Sequence, residues 1–338
     1  MKEEAFTGEL VEALSRRGYD ASPAYCIRNN GGKAVLAFHG ASPYSPAFDT
    51  GPLVERYRKG MPVGEIAGRL ADRLEQASAA GRMLRYLQPG ASRYREIRQN
   101  LWLCMVRREG NTEFLSETPH RPYGDFAAVV CWALDGEVEI SMVMGKEALD
   151  GIGTDFDRVF RDAHINMMGE FELKSMEEML YETVAGKLEM ETRQMRDIPA
   201  DRYIRKMCRG TVLYRMTHRT GRYGSAAMCY RREMERVAER IRGDFVLIPA
   251  SIHELLFLPL EGITHLEAVN GLVRRITEEL VETEERLSGT AYVYSEGDGS
   301  LTGIPEYLSR TRAGQAGMPG GRDRYRADTE RGYEGCLT

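Results

Sequence analysis

No apolar run in this sequence of 338 residues approaches the roughly 18 residues that a membrane-spanning helix requires. Nor is there a large excess of one charge: Lys and Arg number 46, Asp and Glu 51, and the formal net charge is −5. A general nucleic-acid binder neutralises many phosphates with basic side chains, so this balance speaks against a nucleic-acid partner. Cysteine is sparse. Cys26, Cys104, Cys131, Cys208, Cys229 and Cys336 contain no Cys-x-x-Cys pair, which argues against a zinc site or a disulfide framework and suits reduced thiols. Lysine is scarcer relative to its partner, 7 against 39 Arg. The arginines are spread along the whole chain, as codon bias would leave them, rather than gathered into a patch. Met1-Lys2-Glu3-Glu4 is acidic where a signal peptide is basic. Together these absences imply a cytoplasmic chain with no membrane partner.

What is present is a globular composition, 42% hydrophobic and 29% charged. Phe6, Leu10, Val11 and Leu14 recur at helical spacing. Ala24–Ile27 and Ala34–Phe38 flank Asn29-Asn30-Gly31-Gly32, residues that tolerate the positive φ of a hairpin turn. Two helices follow, one through Leu53 and Tyr57, the other with Val63, Ile66, Leu70 and Leu74 on one stripe. Leu101–Val106 and Phe126–Leu134 read as buried strands, and Asp135-Gly136 turns the second into a partner strand. Thr154 is placed to cap a helix lined by Phe156, Val159, Phe160, Ala163 and Met167. A further helix spans Met176–Leu188.

Asp197-Ile198-Pro199, within residues 191–200, marks the best boundary. Beyond it come a strand at Val212–Met216, a helix through Tyr230–Ile241 and two strands, Phe245–Ile248 and Leu255–Leu258, joined by a loop 249–254. A long helix from Leu266 to Leu280 and a strand at Ala291–Tyr294 follow. From about Gly303 the chain is rich in Gly, Arg and Asp and reads as a disordered tail. The expectation is an α+β fold with mainly antiparallel sheets and packed helices, in two subdomains, 1–195 and 196–302, followed by a tail 303–338.

The run Ile248-Pro249-Ala250-Ser251-Ile252-His253-Glu254-Leu255-Leu256-Phe257-Leu258-Pro259 is similar to a hallmark of the domain-of-unknown-function family numbered 5688, common in gut Firmicutes. Four other pieces resemble the same family in order: Arg28-Asn29-Asn30-Gly31, Pro119-His120 with Asp125–Val130, Ala163-His164-Ile165-Asn166, and Leu287–Tyr294. The resemblance covers about residues 5–300. It implies a fold neighbourhood and no activity.

Ser251-Ile252-His253-Glu254 is the sharpest local feature. Polar residues on a loop held by rigid strands are a natural place for function. His253 can exchange protons near neutral pH and Glu254 can orient it, with Asp125, at the start of a buried strand, as a third member. These three would also suit a metal if the strand ends converged, although no metal signature is present: the fifth residue of a His-Glu-x-x-His pattern is Phe257. Ser251, Asn166, His164 and Asn30 are the candidate binding residues. For each, a local role competes: Ser251 can bond the turn, Asn166 can end its helix, and Asn30 can supply the turn's positive φ. The loop Thr220–Ser225 matches neither phosphate-binding nor dinucleotide-binding spacing, so no cofactor is implied. The leading expectation is a non-enzymatic binding or regulatory module with an unknown protein or small-molecule partner. The alternative is a hydrolase-type enzyme, with or without a metal's assistance, using His253, Glu254 and Asp125.

Overall fold

The computed structural model describes residues 2–39, 47–79, 94–134, 140–187, 204–206, 208 and 212–315. Every strand pairing whose register is defined is antiparallel, and helices accompany each sheet, so the chain is an α+β protein. It divides into two compact units. The first comprises Met1–Trp102, Arg108–His120 and Val129–Asn166, and the second Leu103–Arg107, Arg121–Ala128 and Met167–Thr338. No described helix is long and apolar enough to cross a membrane.

In the first unit, β1 (Asp20–Arg28), β2 (Gly31–His39) and β3 (Ala47–Asp49) form a sheet in that order. Helices Lys2–Ser15 and Val63–Ala79 turn Phe6, Leu10, Leu14, Ile66, Ala67 and Leu70 onto Leu36 and Phe38, and these fully or nearly fully buried side chains make one core. The i, i+4 recurrence of Phe6, Leu10 and Leu14 is what selects the helix, and removing that stripe from water is what holds it. Asn30 adopts φ 62° at the hairpin turn. β4 (Leu101–Arg107), β5 (His120–Tyr123), β6 (Phe126–Leu134) and β7 (Ile140–Val143) form a further sheet, with order β4-β6-β5 and β7 paired to β6, whose residues are divided between the two units. Helix Phe156–Met167 begins two residues after Thr154. Asp155 caps it, its Oδ1 accepting the Arg158 N–H at 2.8 Å.

The second unit is organised on a six-stranded sheet of order β13-β12-β10-β11-β9-β8. These strands are β8 (Phe171–Ser175), β9 (Tyr214–His218), β10 (Phe245–Ser251), β11 (Glu254–Pro259), β12 (Tyr292–Ser295) and β13 (Ser300–Gly303). Every residue of the central strand β10 is buried, as its unbroken apolar run requires. Helix Leu266–Leu280 packs Leu266 and Val273 against Val246, Val293 and Ile304.

Three boundaries differ from the sequence expectation. The strand expected at Val212 begins at Tyr214, because Val212 lies 48% exposed and contributes nothing to a core. The loop expected over 249–254 contracts to Ile252-His253, with the register shift of a bulge between Ile248 and Ser251; Pro249, which has no N–H for a ladder, sits within it. The stretch beginning near Gly303 opens with a helix, Ile304–Gln315, anchored by fully buried Ile304 with Tyr307 and Leu308 packed beside it. The boundary proposed at 191–200, the turn at Asp135-Gly136 and residues 316–338 lie outside the described residues.

Candidate functional site

The hairpin between β10 and β11 carries the candidate site. Ser251 pairs with Glu254, which leaves Ile252 and His253 as the turn. The Ser251 hydroxyl accepts the His253 N–H at 3.0 Å, a local bond that shapes the turn. Other segments close on it. The His253 carbonyl accepts the Gly224 N–H at 3.0 Å and the Thr217 hydroxyl at 2.9 Å. The Ile252 carbonyl accepts the Ser225 hydroxyl at 2.7 Å, and the Ile252 N–H donates to the Glu285 carbonyl at 2.8 Å.

Gly224 opens a fully buried 3-10 turn, Gly224–Cys229, ahead of helix Arg231–Ile241. A side chain at Gly224 would collide with the His253 carbonyl and the Thr217 backbone. Glycine is therefore what lets the two chain segments meet.

The imidazole is held at both nitrogens. Tyr223, in the left-handed region at φ 53°, donates its N–H to Nδ1 of His253 at 3.2 Å. A neutral imidazole accepts at one nitrogen and donates at the other, so the ring proton sits on Nε2, which lies 3.5 Å from Oε1 of Glu285. Burial pushes the His253 pKa below its ordinary value; Glu285 and Glu254 pull it upward and Arg222 pushes it down. The net direction leaves the ring neutral. The Tyr223 ring lies beside it, tilted by 41° with centroids 5.6 Å apart, and the Arg222 guanidinium is 5.3 Å from the tyrosine centroid.

Glu254 pairs with Arg215 at 3.5 Å. Asp125, also in the second unit, accepts the Tyr292 hydroxyl at 2.9 Å, and the Tyr292 ring packs on Phe126. Among the described residues no hydrogen bond or ion pair joins Asp125 to His253 or Glu254. Nor does any group of three His, Cys, Asp or Glu side chains among them come together as a metal site.

The remaining candidates belong to the first unit. Asn166 donates its side-chain amide to the carbonyls of Arg98 and Leu101, at 2.6 and 2.9 Å, and so ties the end of its helix to the entry of β4. Asn30 and Asn111 bond reciprocally: the Asn30 N–H reaches Asn111 Oδ1 at 2.6 Å, and Asn111 Nδ2 reaches Asn30 Oδ1 at 3.1 Å. His164 lies half-buried in the last turn of helix Phe156–Met167, where a histidine suits the negative end of the helix dipole.

Glu285, Thr217 and Tyr223 contribute to the His253 environment without having been singled out in the sequence. Glu285 follows an amphipathic helix with no motif around it. Tyr223 acts through its backbone, which no side-chain pattern reports. Gly224-Ser225 is a usable local signal: the glycine marks a close approach, and the serine bonds the hairpin.

A family model described as "Family of unknown function (DUF5688)" matches residues 4–296. No curated protein and no solved structure matches the chain.

Proposed function

The chain belongs to the DUF5688 family, and from that premise we propose that it is a non-enzymatic binding or regulatory module of the cytoplasm. The observation that carries this reading is the double engagement of the His253 ring. A general base needs a lone pair within hydrogen-bond reach of the proton it removes. The Nδ1 lone pair of His253 is already occupied by the Tyr223 amide, and Nε2 carries the proton. The other candidates are similarly engaged, Glu254 with Arg215, Asp125 with Tyr292, and Asn166 with two backbone carbonyls. Each role is that of a fastening between chain segments.

A hydrolase reading would have to run through His253 and Glu285, the imidazole–carboxylate ion pair found at the turn among the described residues. The comparison that decides is turnover of generic ester, phosphoester and peptide substrates by the full chain, its His253→Asn variant and its Glu285→Gln variant. Equal background rates in all three are expected. Saturable turnover by the wild type that both variants lose, with unchanged circular dichroism, would overturn the proposal.

A further inference from the structure

β1 is an outer strand: β2 pairs along its whole length, from Asp20↔His39 to Arg28↔Gly31, and no strand flanks its other side among the described residues. The cross-strand pairs Ala21↔Phe38, Pro23↔Leu36, Tyr25↔Ala34 and Ile27↔Gly32 share one face. At the Ala21 end this face is core. Toward the hairpin turn it runs out into solvent, with Tyr25 70% and Ile27 42% exposed and Pro23 exposed beside them. Tyr25 is nonetheless held in place. A methyl group at Gly32 would overlap its ring, so the ring rests directly on the glycine backbone. An ordered, exposed aromatic with adjacent apolar side chains is the composition of an interface centre.

Pro23 indicates which backbone groups face outward. In an antiparallel strand, alternate residues turn both N–H and C=O to the same neighbour, and proline is kept where its missing N–H would face away from the ladder. Ala21, Pro23, Tyr25 and Ile27 therefore present their backbone groups at the open edge.

We propose that this edge binds a second copy of the same chain, β1 against β1 and antiparallel about a two-fold axis. The proposal rests on the reading of the chain as a binding module. Self-complementary charge identifies the occupant. Asp20 and Arg28 stand at opposite ends of β1 with Ala24 midway. With Ala24 on the axis, Asp20 faces the partner's Arg28, and the symmetry makes the same pair twice. Both occupy positions that do not hydrogen-bond across the edge, where opposed side chains approach most closely. In the same register Pro23 lies opposite the partner's Tyr25 at a hydrogen-bonding position, and its carbonyl accepts that Tyr25 N–H. Its missing N–H leaves the Tyr25 carbonyl without a ladder bond at each of the two symmetric places, and the contact of an apolar ring with an aromatic one offsets that loss. Moving the axis to Tyr25 would set Arg28 opposite the partner's Ser22 and lose both charge pairs.

Sedimentation equilibrium of the full chain tests this. The wild type is expected to dimerise reversibly, and Tyr25→Lys to abolish the dimer. Asp20→Arg and Arg28→Asp should each raise the dimer dissociation constant about tenfold or more, because attraction becomes repulsion at two symmetric places. The double variant Asp20→Arg/Arg28→Asp should return it to within about threefold of wild type. Arg28 also acts on Asp49 within its own chain, but the single Arg28 variant and the double variant share that loss. Circular dichroism confirms that each variant folds. A wild type that stays monomeric at the highest concentration overturns the proposal, as does a dimer indifferent to these changes or one that the double variant fails to restore. A monomer would leave the non-enzymatic reading standing, since that is decided by turnover at His253.

Discussion

The Tyr223 backbone N–H points at Nδ1 of His253 from 3.2 Å, and this one bond fixes which nitrogen of the ring carries the proton. Protonation at Nδ1 would set one N–H against another. The loop Thr220–Tyr223 and the β10–β11 turn are thus joined through a neutral imidazole, and their union should depend on pH. The folded-state pKa of His253 is lowered, chiefly by burial, from the ordinary 6.5. As pH falls below that ordinary value, the unfolded chain binds a proton that the folded chain does not, so stability is lost toward acid. The melting temperature is expected to drop between about pH 7.5 and pH 5.5, and less steeply in His253→Asn, whose side-chain oxygen still accepts the Tyr223 N–H without titrating. Identical slopes in the two proteins would remove His253 from the pH response.

The bond between Asp125 and Tyr292 predicts a stability effect. Tyr292→Phe keeps the ring packed on Phe126 but takes the donor from the carboxylate. Because Asp125 is exposed and water can replace the lost donor, the loss is expected to be about 0.5–1.5 kcal/mol, the usual net worth of a hydrogen bond. Asp125→Asn keeps an acceptor and should cost less. Urea denaturation of the three proteins gives both numbers, and equal midpoints would contradict a fastening role for the pair.

Gly224 makes a harsher prediction. Gly224→Ala forces a methyl group into the His253 carbonyl and the Thr217 backbone, neither of which is the end of a flexible side chain. A loss of about 3 kcal/mol or more is expected, read as a large fall in melting temperature or as failure to accumulate folded protein. Gly64→Ala, in a helix with open space around that position, serves as the control and should be neutral or mildly stabilising.

Much of the fold was legible because its signals are local. The alternation and apolar runs of β2, β6 and β10 announce strands, and the recurrence of Phe6, Leu10 and Leu14 announces a helix. Asn29-Asn30-Gly31-Gly32 announces the hairpin, which forms with Asn30 at positive φ. Where boundaries moved, a competing local term was the cause, as with Pro249 in the β10 bulge or Ile304 seeding a helix after Gly303. The candidate site was legible only in part. Ser251, His253 and Glu254 stand together because they are adjacent in the chain. Their partners Glu285, Arg215 and the Tyr223 amide come from distant segments and carry no motif.

The sequence by itself determined the main helices and strands, the α+β class and the family, since apolar periodicity, turn residues and short motifs are properties of neighbouring residues. Tertiary structure decided which partners the polar residues meet. A histidine in a turn is chemically open until its two nitrogens meet specific partners, and the same is true of a carboxylate at a strand end. Here the partners are a backbone amide and Glu285 for His253, and a buried tyrosine for Asp125. Those contacts depend on which distant segments the packed core brings within about 3 Å, the reach of a hydrogen bond.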